Sequence, residues 1–404
     1  MVFCGLGQTF ILRSFMTDAP INNRKKILFV TPTRATFPFL NELIHRLTAA
    51  DWEVHYATSE FQFSDKSATE FPSMVRQHWI PLARGANPWR HWRASQKLRE
   101  IVQLVRPDVI DVHFSAAMLT VALAKKNDWP PTFATIHGLR FPQQVGLRRW
   151  VESLVEGWAS QRMDRVWLLT ADDRDVLQTK IGAKAALVGS VGLGCDLVRF
   201  DRNRFTESEQ KQARRQAGAL ETETVLIFVG RKVSFKGYDL AIRAFLSAVA
   251  LRPDLRLLVC GTDDPFHSTG LSVREENIVR DHPKINQLGW IDNVENFLSI
   301  SVITLFPSRR EGMPVNLMES LAMGVPVITC DSRGCRDVVD HQTTGLVLPS
   351  FDVSLISEAI LQLSADQALR GKFSQNAIAK RALFDRQRFV EERFELFQQT
   401  VNST

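Results

Sequence analysis

The sequence predicts an α/β protein built from two parallel-sheet domains in tandem, and three observations carry that expectation. Short continuous apolar runs alternate with longer amphipathic ones from Lys26 onward. The same rhythm restarts after a polar, charged stretch near residues 195–222. The chain's 404 residues also exceed what one hydrophobic core usually organises, about 250–300 residues. Apolar strands that show no alternation, each followed by a helix, imply βαβ units with both sheet faces covered.

The elements follow in order. KKILFVTP (25–32) reads as a strand, FPFLNELIHRLTAADW (37–52) as a helix and EVHYATS (53–59) as a second strand. PDVIDVHFS (107–115) and PPTFATIHG (130–138) are strands flanking the helix AAMLTVALAKKNDW (116–129). After the polar stretch, TVLIFVG (224–230), LRLLVCG (255–261), ITLFPS (303–308) and VPVIT (325–329) are strands. YDLAIRAFLSAVALR (238–252) and PVNLMESLAMG (314–324) are helices between them. The expected division is a flexible leader over 1–25, a Rossmann-like domain over 26–195, a linker over 196–222 and a second Rossmann-like domain over 223–384. A final amphipathic helix over 385–404 would cross back to the N-terminal domain. In open α/β sheets ligands sit beyond the carboxyl ends of the strands, so two such domains place the site in the cleft between them.

Composition narrows the partners. A net charge of +6, spread rather than clustered, favours anionic ligands such as nucleotides, phosphorylated substrates or an anionic membrane surface. No basic run with interleaved aromatics marks a nucleic-acid groove binder, so no nucleic-acid partner is expected. Five scattered cysteines, Cys4, Cys195, Cys260, Cys330 and Cys335, read as reduced thiols of a cytoplasmic protein. They lack metal-site spacing, and no resident metal or cofactor is expected. The apolar part of the start is interrupted by Gln8 and Arg13 and is too short and polar to span a bilayer. It reads as a disordered leader, or as sequence upstream of a true start at Met16.

Two stretches carry chemistry. In VGRKVSFKG (229–237), Gly230, Arg231 and Lys236 follow a strand directly and Gly237 opens a helix. Two cations beside helix N–H groups suit a diphosphate, with the helix dipole adding about 0.3–1 kcal/mol. A solvated basic turn fits those residues equally well. In EGMPVNLMES (311–320), Pro314 suits the first helical position, and Gly324 with Pro326 suits its end. The free N–H groups of Val315 and Asn316 then make a second anion site, approached through Gly312.

Glu311 and Glu319 raise the question of paired hydrolytic acids. Eight helical steps would separate them by roughly 12 Å, whereas glycosidase pairs stand about 5–9.5 Å apart. Two grips on one extended ligand fit better than an acid and a base.

Together these segments resemble the retaining GT-B-fold glycosyltransferases of the family-four, or group 1, class. EGMPVNLMES is similar to that class's E-x7-E signature, and VGRKVSFKG to its diphosphate loop. GLGCDLVRF (192–200) resembles the interdomain segment and TGLVLP (344–349) the segment after the motif. GCRDVV (334–339) and TIHGLRFP (135–142) look most like bacterial enzymes building capsule, exopolysaccharide or O-antigen units.

The resemblance implies roles. Arg231 and Lys236 would hold the donor diphosphate, and Glu319 would accept hydrogen bonds from the ribose hydroxyls. Glu311, with the backbone of Gly312 and Met313, would contact the transferred sugar, and the Val315 and Asn316 N–H groups would meet phosphate. His137 would face sugar and phosphate from the N-terminal domain, although a lone histidine after a strand is by itself more often structural. The class usually carries a Gly-Gly pair after the first strand. This chain has TPTRATF (31–37), leaving Thr33 and Arg34 as weak candidates there.

Membership implies a metal-independent transfer with retention, from a UDP-sugar before a GDP-sugar, to a polyprenyl-diphosphate-linked glycan. Basic, tryptophan-bearing segments with Trp89, Trp92, Arg140, Arg148, Arg149 and Trp150 suit peripheral contact with the cytoplasmic face of the inner membrane. Ordinary solvated helix faces fit those segments equally. A tandem-Rossmann dehydrogenase would need a Gly-x-Gly-x-x-Gly turn, which is missing. A two-domain nucleotide- or sugar-binding protein without this catalysis is the standing alternative.

Overall fold

A computed structural model describes residues 24–59, 71–82 and 87–403. Of the expected leader, only Arg24 and Lys25 fall within them; Met16 and Cys4 lie outside the described residues. The N-terminal sheet contains β1 (Lys26–Val30), β2 (Glu53–Thr58), β3 (Val75–Trp79), β4 (Val109–His113), β5 (Thr132–Ile136), β6 (Arg165–Leu168) and β7 (Ala185–Leu187). All seven run parallel in the order β3-β2-β1-β4-β5-β6-β7. Helices α1 (Phe37–Ala49), α2 (Pro88–Val105), α3 (Ser115–Ala124), α4 (Gly146–Gln161) and α5 (Ala171–Ile181) connect them.

The C-terminal domain begins with α6 (Glu207–Gln216). Its sheet has β8 (Thr224–Val229), β9 (Leu255–Cys260), β10 (Ile285–Gly289), β11 (Ile303–Leu305), β12 (Val327–Cys330) and β13 (Gly345–Leu348), all parallel, in the order β10-β9-β8-β11-β12-β13. Helices α7 (Tyr238–Leu251), α8 (Val273–Asp281), α9 (Val294–Ile300), α10 (Val315–Ala322), α11 (Cys335–Val338), α12 (Val353–Ala365) and α13 (Gln367–Lys380) complete it, and α14 (Arg386–Asn402) follows. Each sheet reverses its winding once, between β1 and β4 in the first and between β8 and β11 in the second. Those two switch points open crevices at the carboxyl ends of the strands, where loops carrying chemistry gather.

The stretch 196–222 corrects the expectation of a linker. Thr206 and Glu209 form a capping box that starts α6, and Phe200, Ala213, Ala217 and Ala219 are buried in the C-terminal core. Small apolar residues among the charges give this polar helix its packing face. The chain crossings themselves lie elsewhere and run side by side: Cys195 N–H donates to the Phe384 carbonyl at 2.8 Å, and Arg386 N–H to the Cys195 carbonyl at 3.1 Å. After that crossing, α14 lies on the N-terminal domain against α1. Phe389, Val390, Phe394 and Phe397 share one core with Phe29, Phe37 and Leu40. Each buried ring contributes about 1.5–3 kcal/mol, so α14 belongs energetically to the N-terminal domain.

Candidate active site

The two chemistry-bearing segments meet at the β8/β11 switch point. The loop after β8 passes Gly230 and Arg231, makes a 3-10 turn over Ser234–Lys236, and enters α7 through Gly237 at φ 74°. A Cβ at Gly237 would stand 2.0 Å from the Pro307 carbonyl oxygen, so only glycine lets this loop nest against the one after β11. Arg309 clamps the two together, reaching the Asp239 carboxylate at 2.8 and 2.9 Å. Pro314 is the N-cap of α10 rather than its first residue, and Gly324 takes φ 68° just beyond the helix end.

Lys236 and Glu311 form one unit. The ammonium lies 2.7 Å from both carboxylate oxygens, and Ser308 Oγ donates to Glu311 Oε1 at 2.7 Å. Glu311 is buried, at 8% exposed. Arg231 pairs with the buried Asp264 and stacks on Phe235, 5.3 Å from its centroid. Each of the two cations expected beside the helix N–H groups therefore also has a carboxylate partner. The Asn316 side chain donates to the Val229 carbonyl at 2.7 Å, tying α10 to the end of β8. At positions 315 and 316, in the first turn of α10, the backbone N–H groups have no intrahelical acceptor.

Glu319 sits one turn deeper. Among the described residues its carboxyl makes no hydrogen bond, and burial pushes it up to about 7 against the pull of Arg386 and Arg199. A partly buried carboxylate with open acceptor positions suits a ligand that brings hydroxyl donors.

The N-terminal domain reaches this site through the loop after β5. A Cβ on Gly312 would lie 2.1 Å from the His137 carbonyl oxygen, so the backbones after β5 and β11 are in direct contact. Met313 packs against the cores of both domains. The His137 ring stacks on Phe114, with centroids 4.0 Å apart at 15°, and its Nε2 lies 2.9 Å from His113 Nδ1. Burial, then His113 and Arg393, hold its pKa well below the ordinary histidine value. Thus His137, Gly312, Met313, Glu311 and Lys236 converge. Arg34 lies over Phe71 and Trp79.

Several residues were not anticipated as site residues. Arg310 stacks on Phe235 at 4.7 Å. Burial lowers its pKa, and the neighbouring Arg140, Arg231 and Arg333 lower it further, so four guanidinium groups share one region of the cleft. Arg333 pairs with the buried Asp173 at the start of α5 and donates to the Leu139 carbonyl at 2.7 Å. Arg336 pairs with Asp172. Behind His137, Asp111 and His113 are fully buried on β4. The sequence did carry a signal for that pair, since two ionisable residues inside an otherwise apolar strand are rarely accidental.

Two such domains facing across a cleft define a GT-B glycosyltransferase fold, and comparison with known proteins agrees. The family model "Glycosyl transferases group 1" matches residues 209–380, and "Glycosyltransferase Family 4" matches 39–199. EpsD of Bacillus subtilis (strain 168), named as a glycosyltransferase, is 22% identical over 86% of this chain and 89% of its own. The capsular polysaccharide biosynthesis glycosyltransferase CapM of Staphylococcus aureus is 23% identical over 87% and 91%. Among solved structures, HepE of Anabaena in complex with UDP superposes with a TM-score of 0.73 at 15% identity, covering 93% of this chain and all of that one. The chain belongs to the group 1 glycosyltransferases.

Proposed function

We propose that the protein is a retaining glycosyltransferase that moves a hexose or N-acetylhexosamine from a UDP-sugar, before a GDP-sugar, to a glycan acceptor. The observation that carries this reading is the Lys236–Glu311 pair at the switch point, flanked by the open carboxylate of Glu319 and met by His137 from the other domain. Glu319 accepts from the ribose hydroxyls. Arg231, Lys236 and the first turn of α10 neutralise the diphosphate, and Glu311 orients the sugar.

In the transfer step the acceptor hydroxyl oxygen forms a bond to the anomeric carbon on the face the diphosphate leaves. The anomeric C–O bond breaks, and the hydroxyl proton passes to the departing diphosphate oxygen. Positive charge preorganised around that diphosphate is the largest expected source of rate, and Arg231 and Lys236 supply it without a metal ion.

The acceptor in this reading is a polyprenyl-diphosphate-linked sugar of capsule, exopolysaccharide or O-antigen synthesis. The printed role of CapM in capsular polysaccharide biosynthesis supports a glycan acceptor, and the arginines around Arg310 suit an anionic carrier. Peripheral contact with the cytoplasmic face of a membrane would use α4, whose Leu147, Trp150, Leu154 and Trp158 are exposed along one stripe beside Arg148 and Arg149. Stacked Trp89 and Trp92 on α2 add a second aromatic contact. None of the described helices is long and apolar enough to cross a membrane.

A panel of UDP- and GDP-sugars, scored for release of the nucleoside diphosphate with and without lipid-diphosphate acceptors, tests the reading. Acceptor-dependent release supports it. Tight binding without release would instead favour a nucleotide-binding protein.

A further inference from the structure

His137 ends a buried chain of polar groups that no proposed role yet uses. Asp111 Oδ2 lies 3.1 Å from His113 Nε2, and His113 Nδ1 lies 2.9 Å from His137 Nε2. Asp111 and His113 are both fully buried. Arg393 of α14, 1% exposed, stands close by; it stacks on Trp167 at 3.9 Å, donates to Thr135 Oγ1 at 3.2 Å, and is attracted by the Asp111 charge. The second nitrogen of His137, Nδ1, has no hydrogen-bond partner among the described residues, and the residue is only partly buried.

Proton positions along this chain follow from elimination. Arg393 is permanently charged and lies in a dry interior, where the carboxylates of Asp111 and Glu392 both attract it, and Asp111 enters the chain as a carboxylate. An ionised carboxylate only accepts hydrogen bonds, so His113 Nε2 must carry a proton. A second proton on His113 would add a second cation to share the Asp111 carboxylate with Arg393. His113 Nδ1 is therefore a bare acceptor, and His137 Nε2 must be the donor to it.

We infer that Asp111, acting through His113, holds His137 in the Nε2–H tautomer and leaves its Nδ1 lone pair as a hydrogen-bond acceptor in the cleft. Asp111 and His113 are positioning residues; His137 makes the contact. An acceptor nitrogen repels phosphate oxygens and attracts hydroxyls, so its ligand is a hydroxyl of the transferred sugar or of the acceptor sugar. That last identification rests on the glycosyltransfer reading; the tautomer does not. The lowered pKa of His137 is consistent with a neutral ring.

The test is nitrogen NMR of the full-length protein labelled at the imidazole nitrogens, with His137 identified by its loss in His137→Gln. The expected spectrum shows a proton on His137 Nε2 and a pyridine-type Nδ1. A proton on Nδ1, or on both nitrogens, overturns the proposal. In Asp111→Leu the expected change is a mixture of His137 tautomers. An unchanged single Nε2–H tautomer would remove Asp111 from the role. Should that variant not fold, His113→Phe asks the same question, because it deletes the acceptor that Nε2 has among the described residues.

Kinetics give an independent reading, since Asn places its amide oxygen near the Nδ1 position and Gln places its amide near Nε2. His137→Asn is expected to keep kcat/KM about tenfold to a hundredfold above His137→Gln; the reverse order overturns the proposal. A wild-type protein that shows the expected tautomer but turns over no nucleotide sugar would sink the functional reading while leaving the tautomer standing.

Discussion

Lys236 and Glu311 hold each other across the β8/β11 switch point, with the ammonium 2.7 Å from both carboxylate oxygens although 75 residues separate them in sequence. The pair is positioned by two loops locked through Arg309 and Asp239. Removing either partner leaves the other in a partly dry site. Lys236→Ala is expected to lower kcat by about a hundredfold to a thousandfold. Glu311→Ala should raise KM as well as lower kcat. Because the groups act as one unit, the double variant should be little worse than Lys236→Ala alone. Steady-state kinetics on the four proteins of this cycle check it, and additive losses would contradict the coupling.

Glu319 gives the site a pH dependence with a definite sign. Its ordinary value is 4.5 and burial lifts it to about 7 in the folded chain. Folding therefore favours the protonated form; that stability is complete below about pH 4.5 and lost as pH rises through about 7. Ligand binding runs the opposite way, since the ionised carboxylate offers more acceptor positions to a ribose. UDP affinity is expected to weaken by about tenfold between pH 8 and pH 6. Glu319→Gln should flatten that profile and raise stability at pH 8 by on the order of 1–3 kcal/mol. Calorimetric titrations and melting curves at both pH values decide it.

Much of this site was legible in the sequence because local rules govern it. Pro314 and Gly324 mark the start and end of a helix, and apolar strands followed by helices dictate two parallel sheets. What stayed hidden depends on the chain folding back over long distances. Arg393 is ordinary in an amphipathic helix, and only the return of α14 to the N-terminal domain buries it near Asp111. The carboxylate partners of Arg231 and Lys236 stayed hidden for the same reason: Asp264 and Glu311 come from other loops. The segment 196–222 looked like a linker because its charged residues outnumber its apolar ones and the packing face of α6 rests on small alanines.

The domains are also tied by ion pairs. Arg333 reaches from the loop after β12 to Asp173, which is fully buried, and to the Leu139 carbonyl. Burial raises the Asp173 pKa while Arg333 draws it down. Breaking such a pair in place costs about 3–5 kcal/mol; opening the cleft instead returns Asp173 to water. Arg333→Ala is therefore expected to shift the population toward an open form. Small-angle scattering should show a larger radius of gyration, and the donor KM should rise about tenfold. An unchanged scattering profile with an unchanged KM would show that the contact carries no closure energy.

Gly312 offers the sharpest separation of binding from transfer. A methyl group there would lie 2.1 Å from the His137 carbonyl oxygen, too close for the two backbones to stay in contact. Gly312 takes no left-handed φ, so alanine is compatible with its own backbone and the clash is purely between domains. Gly312→Ala should leave the C-terminal fold and UDP binding within about threefold of the wild type. Displacing His137 by about 1 Å is expected to cost about a hundredfold in transfer. Parallel loss of UDP affinity would place the effect in the C-terminal loop. Preserved binding with lost transfer would show that closure across Gly312 assembles the reacting groups.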